Sequence, residues 1–428
     1  MIRPLYTFSG ILLAPFIGLW LLKRAARGKE SLPRLRERFG HAGVMRPPGR
    51  VVWLHAASVG EVQSVFTLVR SLLLRHADIH VLITTGTVTS ASLVAQQELP
   101  RTLHQFVPVD TYPAARRFLR HWRPDLVLWV ESEFWPQLLW QVKKRGIPAL
   151  LINARISENT AANWHRWPRT FRKLVQVFHA IFAGSERDAA RLSALGAPQV
   201  QDAGNLKYDA AALAVDHDAL TDIKRMIGNR RVWVAASTHA NEEQRIAEIH
   251  HKLVTQFHDL LTIIVPRHAT RGDSLATDLR SQGAILAQRS KNEPITEKTG
   301  IYLADTMGEL GLFFRLSELV FIGGTLIAHG GHNPLEAARL DCAIITGPHM
   351  HNFATILQHF QRHKAIRLVR DPAELQVMVA LLLRDKSQRQ DLARRAVELV
   401  REAQGASEKI LQEIDHQLSR RESAHAHA

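Results

Sequence analysis

Two stretches of this 428-residue chain open alike: Arg50-Val-Val-Trp-Leu-His-Ala-Ala-Ser58 and Arg231-Val-Trp-Val-Ala-Ala-Ser237. Each is a run of β-formers that ends in small residues ahead of a helical pattern. An apolar run with no polar alternation fits a strand covered on both faces, the condition of a parallel sheet. After each opening, further strand-length apolar runs alternate with amphipathic segments. The first half offers residues 51–55, 81–85, 104–109, 126–130, 149–153 and 180–183, with helical stretches at 61–75, 113–122 and 136–145. The second half offers 231–237, 261–265, 301–304, 319–322 and 343–346. This alternation restricts the chain to α/β units with parallel sheets. The length suffices for two such domains with separate cores. We therefore expect two Rossmann-like domains facing one cleft, over 31–206 and 231–428, with a polar linker at 207–230 and the terminal helices in the second domain.

In open α/β sheets, ligands bind beyond the carboxyl ends of the strands, so chemistry is sought there. The richest such end is Leu319-Val-Phe-Ile-Gly-Gly-Thr-Leu-Ile-Ala-His-Gly-Gly-His-Asn-Pro-Leu-Glu336. A strand empties into a glycine-rich loop holding Gly324 and Thr325, and the loop opens a helix at Asn333 and Pro334. The unpaired N–H groups of that helix start suit an anion such as phosphate. Glu336 can hydrogen-bond vicinal hydroxyls, as on a ribose, and phosphate with ribose makes a nucleotide. An ordinary strand-to-helix turn without a ligand is the alternative.

The other strand ends add functional groups. After the first strand, Ser58, Val59 and Gly60 form a turn and Glu61 enters the next helix. Glu61 is there either a general base toward a bound hydroxyl or a carboxylate that complements the helix dipole. Trp129-Val-Glu-Ser-Glu-Phe-Trp-Pro136 presents Glu131 and Glu133, which alternation would put on one side of the strand. These acids suit sugar or amine groups. No histidine or third carboxylate follows at ligand spacing, so no metal is expected. In the second half, Ser237 and Thr238 offer hydroxyls and amides. Arg267, beside His268, carries the planar fork that suits phosphate. Asp305-Thr-Met-Gly-Glu-Leu310 places Met307, Gly308 and Glu309 in another strand-to-helix turn. Lys207, in Gly204-Asn-Leu-Lys-Tyr-Asp209, could meet a negative charge on a donor at the domain junction.

The net charge is +15, and nine Lys or Arg against two acids lie between Lys23 and Arg50. Such an excess calls for an anionic partner. A second cluster, Trp164-His-Arg-Trp-Pro-Arg-Thr-Phe-Arg-Lys173, mixes aromatics with cations, but no nucleic-acid-binding motif accompanies it. The basic run follows 17 uncharged residues, Tyr6 to Leu22. As a helix they would measure about 25 Å against a bilayer core of about 30 Å. Trp20, Lys23, Arg24 and Arg27 suit the headgroup level, and positive flanks stay cytoplasmic. The expectation is an N-terminal anchor with basic collar over residues 1–30, inserted or interfacial, with the body in the cytoplasm. A buried apolar helix is the other reading. The lone Cys342 lies in an apolar run, which suits an inert buried thiol.

Taken in order, His55-Ala-Ala-Ser-Val-Gly-Glu61, Trp129-Val-Glu-Ser-Glu-Phe-Trp-Pro136, Gly204-Asn-Leu-Lys207, Pro266-Arg-His268, Thr306-Met-Gly-Glu-Leu310 and Gly330-Gly-His-Asn-Pro-Leu-Glu336 resemble the 3-deoxy-D-manno-octulosonic acid (Kdo) transferases along the whole chain. The resemblance implies a GT-B fold, CMP-Kdo as donor, a lipid A precursor as acceptor, no cofactor or metal, and work at the cytoplasmic face of the inner membrane. It implies an acceptor site at Ser58, Gly60, Glu131 and Glu133, with Glu61 as the base for inversion. The donor would be held by Lys207, Ser237, Thr238, Arg267, His268, Met307, Gly308, Glu309, Gly324, Thr325, Asn333 and Glu336. Within the same fold, an enzyme using a UDP-sugar stays open, as does a non-catalytic lipid A binder.

Overall fold

The computed structural model describes residues 6–8, 10 and 14–426. They divide into two compact units, one of residues 1–210 with 404–428 and the other of 211–403. The first unit holds strands β1 (Arg50–His55), β2 (Ile79–Thr85), β3 (Thr102–Phe106), β4 (Leu126–Val130), β5 (Ala149–Ala154), β6 (Ala180–Ala183) and β7 (Val200–Asp202). They form one sheet in the order β3-β2-β1-β4-β5-β6-β7, each neighbouring pair parallel. The second unit holds β8 (Arg231–Thr238), β9 (Leu260–Pro266), β10 (Leu286–Gln288), β11 (Ile301–Leu303), β12 (Leu319–Ile322), β13 (Ala343–Thr346) and β14 (Arg367–Leu368). Their order is β10-β11-β9-β8-β12-β13-β14, again parallel throughout.

The twin openings form the central strands β1 and β8, buried on both faces as their apolar runs require. They even share an anchor. The Trp53 indole N–H donates to Thr84 Oγ1 at 2.9 Å, and that of Trp233 donates to Thr262 Oγ1 at 2.7 Å. A buried indole needs such a partner, and in both units the adjacent strand supplies it. In the first unit Trp53 also packs against Phe118 and Trp129 at ring separations of 4.7 and 5.6 Å. All the expected strands form. The edge strands β7, β10 and β14 were not expected, because two or three residues carry no readable period.

Two expectations on organisation need correction. The stretch 207–230 is not a plain linker. It contains the helix His217–Ile227, whose cap Asp216 accepts the amides of Asp218 and Ala219. The last helix, Ala406–Ala426, belongs to the first unit. Its Ile410, Leu411, Ile414 and Leu418 make one apolar stripe buried in that unit's core, as helical spacing dictates. Asp209 accepts the Gly405 amide at 2.8 Å where the chain re-enters.

The N-terminal expectation falls partly outside the described residues. Ala14–Ala25 is a helix of 12 residues, about 18 Å long. Among the described residues no helix is long and apolar enough to cross a membrane, and residues 1–5, 9 and 11–13 of the expected anchor lie outside the description. Leu21 is buried, while Phe16, Leu19, Trp20 and Leu22 are about half exposed or more. Part of the basic collar is internal. Arg38 is buried and chelates Glu30 with two bonds of 3.0 Å. Arg24 pairs with the same carboxylate, Arg34 with Glu37 and Arg50 with Asp78. Lys23, Arg27, Lys29 and Arg36 remain exposed.

Candidate functional site

In each sheet the strand order reverses at the central strand, which creates a switch point where loops diverge and leave a crevice. In the first unit it lies between β1 and β4. The loop after β1 presents Ser58, the cap of the helix Val59–Arg75, and Glu61 lies in that helix's first turn. The two form a capping box: Ser58 Oγ receives the Glu61 amide at 3.3 Å and donates to Glu61 Oε1 at 2.9 Å. The Ala57 amide donates to Oε2 at 2.8 Å. Glu61 is only 6% exposed. Burial pushes its carboxyl up to about 7, the Ala57 amide opposes this, and the nearby charges of Glu131 and Glu133 add to it. A carboxylate that gains and loses its proton near neutrality suits proton abstraction. A Cβ added at Gly60 would meet open space, so the backbone beside Glu61 is not crowded by protein.

Glu131 ends β4 in the left-handed region at φ 57°. The strand's alternation stops there, so the expectation that it aims both acids cannot be carried past residue 130. The pair still lies near Glu61, as the shift of that carboxyl records. Burial raises the Glu133 carboxyl, and Arg155 Nη1 lies 3.8 Å from Glu131 Oε1. Lys207 lies on the short turn Leu206–Asp209 of this same unit. Burial lowers its ammonium while the charges of Glu131 and Glu61 hold it up. The structure thus groups Lys207 with Glu61 and Glu131, and the other proposed donor residues lie in the second unit. Sequence reasoning passed over Arg155. Its only signal is its position two residues past the end of the expected strand at 149–153.

The second switch point lies between β8 and β12. Ser237 takes φ 58° at a bulge in β8, which turns the chain toward Thr238 and His239. Gly323 follows β12 so closely that a Cβ would come within 2.7 Å of the Thr238 Cα. Any larger residue would push the two strand ends apart. The organiser of this region is Glu242, fully buried at the start of the helix Glu242–Leu253. Its Oε2 accepts the amides of Gly324 (2.6 Å) and His239 (3.1 Å), and Oε1 accepts those of Thr325 and Leu326 (both 3.0 Å). The adjacent Glu243 is also buried and holds Arg271 at 2.8 Å. Sequence reasoning missed both acids. The available signal was their position, in the first helical turn after the opening strand, where Glu61 lies in the other unit.

These bonds change the reading of two expected donor residues. The amides of Gly324 and Thr325 are committed to Glu242, and the Thr325 hydroxyl joins the Ile322 carbonyl and the Gly347 amide. Thr325 thereby shapes the loop from inside. Glu309 likewise holds Arg289 at 2.7 Å, which lowers its carboxyl. Met307 is 68% exposed beside Gly308, which takes φ 84°. Arg267 and His268 are exposed where β9 ends. Asn333 caps the helix Pro334–Ala338 and its side-chain amide donates to Glu336 at 3.1 Å. Burial raises the Glu336 carboxyl, with Asn333, Arg339 and Arg267 opposing.

A cluster of imidazoles occupies the same region. His239 Nε2 lies 2.8 Å from His332 Nε2, so one ring donates and the other accepts. Burial lowers both to about 4, with neighbouring histidines and Arg267 acting in the same sense. Both are neutral at pH 7. His239, His329 and His332 bring ring nitrogens within 4.8 Å of one another, a spacing that could hold a metal ion. The expectation of no metal did not bring these three histidines together.

Comparison with known proteins identifies the family and the fold. Residues 33–210 match the family model described as 3-deoxy-D-manno-octulosonic-acid transferase (kdotransferase). The 3-deoxy-D-manno-octulosonic acid transferase of Haemophilus influenzae is 32% identical over 427 residues, covering 98% of this chain and 100% of the relative. The enzyme of that name from Rickettsia bellii is 32% identical over 387 residues, covering 90% and 92%. Among solved structures, the UDP-GlcNAc 2-epimerase of Neisseria meningitidis superposes with a TM-score of 0.55 at 15% identity, covering 85% of this chain and 98% of that one. A glycosyltransferase from Rickettsia africae gives 0.54 at 11%, covering 87% and 99%. At such identities these two likenesses establish the fold, two parallel-sheet Rossmann-like units of the GT-B kind. The relatives establish the rest: the chain is a glycosyltransferase and belongs to the 3-deoxy-D-manno-octulosonic acid transferase family.

Proposed function

We propose that this enzyme transfers Kdo from CMP-Kdo to the primary hydroxyl of a glucosamine in a lipid A precursor, with inversion, at the cytoplasmic face of the inner membrane. The observation that carries the reading is Glu61, a buried carboxyl near neutrality, held by Ala57 and Ser58 beside an uncrowded backbone. Its carboxylate takes the proton of the acceptor hydroxyl. The oxygen attacks the anomeric carbon of Kdo, and that carbon's bond to the CMP phosphate oxygen breaks. Arg267 and the helix starts at 307–309 and 333–336 offset the charge left on CMP, and Glu336 holds the ribose hydroxyls. Lys207 meets the carboxylate of Kdo. Glu131 and Glu133 orient the sugar of the acceptor. The helix Ala14–Ala25, with its exposed apolar face and the neighbouring Lys23 and Arg27, lies on the membrane surface.

The test combines purified protein, freshly made CMP-Kdo and a tetra-acylated lipid A precursor, with the product weighed by mass spectrometry. A gain of one or more Kdo masses supports the reading. An unchanged lipid beside an active control transferase sinks it. Inhibition by UDP in preference to CMP would point instead to a UDP-sugar enzyme.

A further inference from the structure

The loop that carries Ser58 opens onto more than a sugar site. A cavity of about 740 Å³ lies within the first unit, with Ala57, Ser58 and Glu133 on its wall. That volume is within the range of about 300–1,000 Å³ usual for small-molecule sites. Most of the lining is apolar, supplied by Ile17, Trp20 and Leu21 of the N-terminal helix and by Val107 and Trp135 of the body. The polar part includes the paired Arg24, Glu30 and Arg38, together with Asp110 and Glu133. The helix that walls the cavity with Ile17 and Leu21 also exposes Phe16, Leu19 and Leu22, and Lys23 and Arg27 follow.

From this arrangement we propose that the cavity takes one acyl chain of the acceptor lipid, so that its headgroup hydroxyl is delivered to Glu61. The inference rests on the acceptor reading above and adds a subsite to it. An amphiphile whose reactive hydroxyl lies at Glu61 must place its tail somewhere, and the apolar space adjoining Ser58 and Glu133 is contiguous with that point. The same helix offers its outer apolar face to a bilayer, so a chain leaves lipid and enters protein past one element.

The test compares the full-length protein with an Ile17→Trp variant, in one detergent, on two acceptors: the tetra-acylated precursor and the same disaccharide bisphosphate stripped of its chains. Wild type should lose at least a hundredfold in kcat/KM on the stripped acceptor, mainly through KM. Each methylene removed from the seated chain should cost about fourfold. Ile17→Trp fills the cavity and should raise KM for the acylated acceptor about tenfold while leaving the stripped acceptor's rate unchanged. Equal use of both acceptors by wild type, or an Ile17→Trp variant indifferent to acylation, overturns the proposal. Because Ile17→Trp could misfold, a second measurement dispenses with it. Bromotetradecanoic acid should quench tryptophan fluorescence, and the quench should shrink in Trp135→Phe; its absence overturns the cavity assignment. If neither acceptor is glycosylated the acceptor reading fails, and this quench decides the cavity by itself.

Discussion

The carboxylate of Glu242 accepts the amide of Gly324 at 2.6 Å, so a helix start and a glycine-rich loop 82 residues apart are fixed to one another. Three more amides share that carboxylate. Four orphan donors converging on one buried anion would each be costly without it. Glu242→Ala leaves them unpaired at about 1–3 kcal/mol apiece, partly relieved by water. A total loss of about 3 kcal/mol should lower the melting temperature of this unit by about 6–12 °C. CMP should bind more weakly as well. An unchanged melting curve would show that the loop holds its form without the carboxylate.

Glu61 gives the reaction a pH signature. Its carboxyl rises from 4.5 to about 7 on folding, and the base form is the ionised one. At saturating donor, kcat/KM for the acceptor should fall about tenfold per pH unit well below 7 and level off above it. Stability runs the other way. The folded state holds the proton more tightly than the unfolded chain, so the contribution of Glu61 declines as pH rises from about 4.5 to 7. Denaturant titrations at pH 5 and pH 8 should show Glu61→Gln gaining relative to wild type at the higher pH. A flat rate profile between pH 5 and 8 would remove Glu61 as the base.

Removing the carboxylate altogether isolates its chemical role. Glu61→Ala should slow turnover by about 10²- to 10⁴-fold, the range a general base supplies, with CMP affinity intact because the residues proposed to hold the nucleotide lie in the other unit. Retained turnover would leave Glu61 a capping residue only.

Arg267 is the cation expected to face the departing phosphate. Arg267→Ala should raise the KM for CMP-Kdo about tenfold or more, as loss of a charged hydrogen bond does. The KM for the acceptor should stay as it was. Arg267→Lys should recover part of the loss, since an ammonium keeps the charge and lacks the fork. Matching KM values for variant and wild type would place the phosphate elsewhere.

The three-histidine cluster allows a direct check on cofactor need. The reaction as proposed uses helix starts and Arg267 against the phosphate charge, so excess EDTA should leave the rate unchanged. A rate that collapses in EDTA and returns with a divalent cation, but not in His332→Ala, would instead assign His239, His329 and His332 as ligands.

The sequence by itself determined the elements and which candidate residues follow a strand. Continuous apolar runs at β1, β8 and β12 can be stable only as strands covered on both faces, and loops after parallel strands emerge at one end. That is local periodicity, and it named Ser58, Glu61, Glu131 and Arg267 by their place after a strand. Edge strands of two or three residues have no period to read, and only their pairing partners define them. What the tertiary structure alone decided are the relations between distant residues. Lys207 joins Glu61 and Glu131 in the first unit, and the helix at 406–426 returns to that unit's core. Glu242 takes the amides of Gly324 and Thr325, two residues expected at the donor, and part of the basic collar pairs with Glu30 and Glu37. A charge or a hydrogen-bond donor carries no mark of its partner in the sequence. Burial forces each one to find a partner, and only the folded chain shows which partner it found.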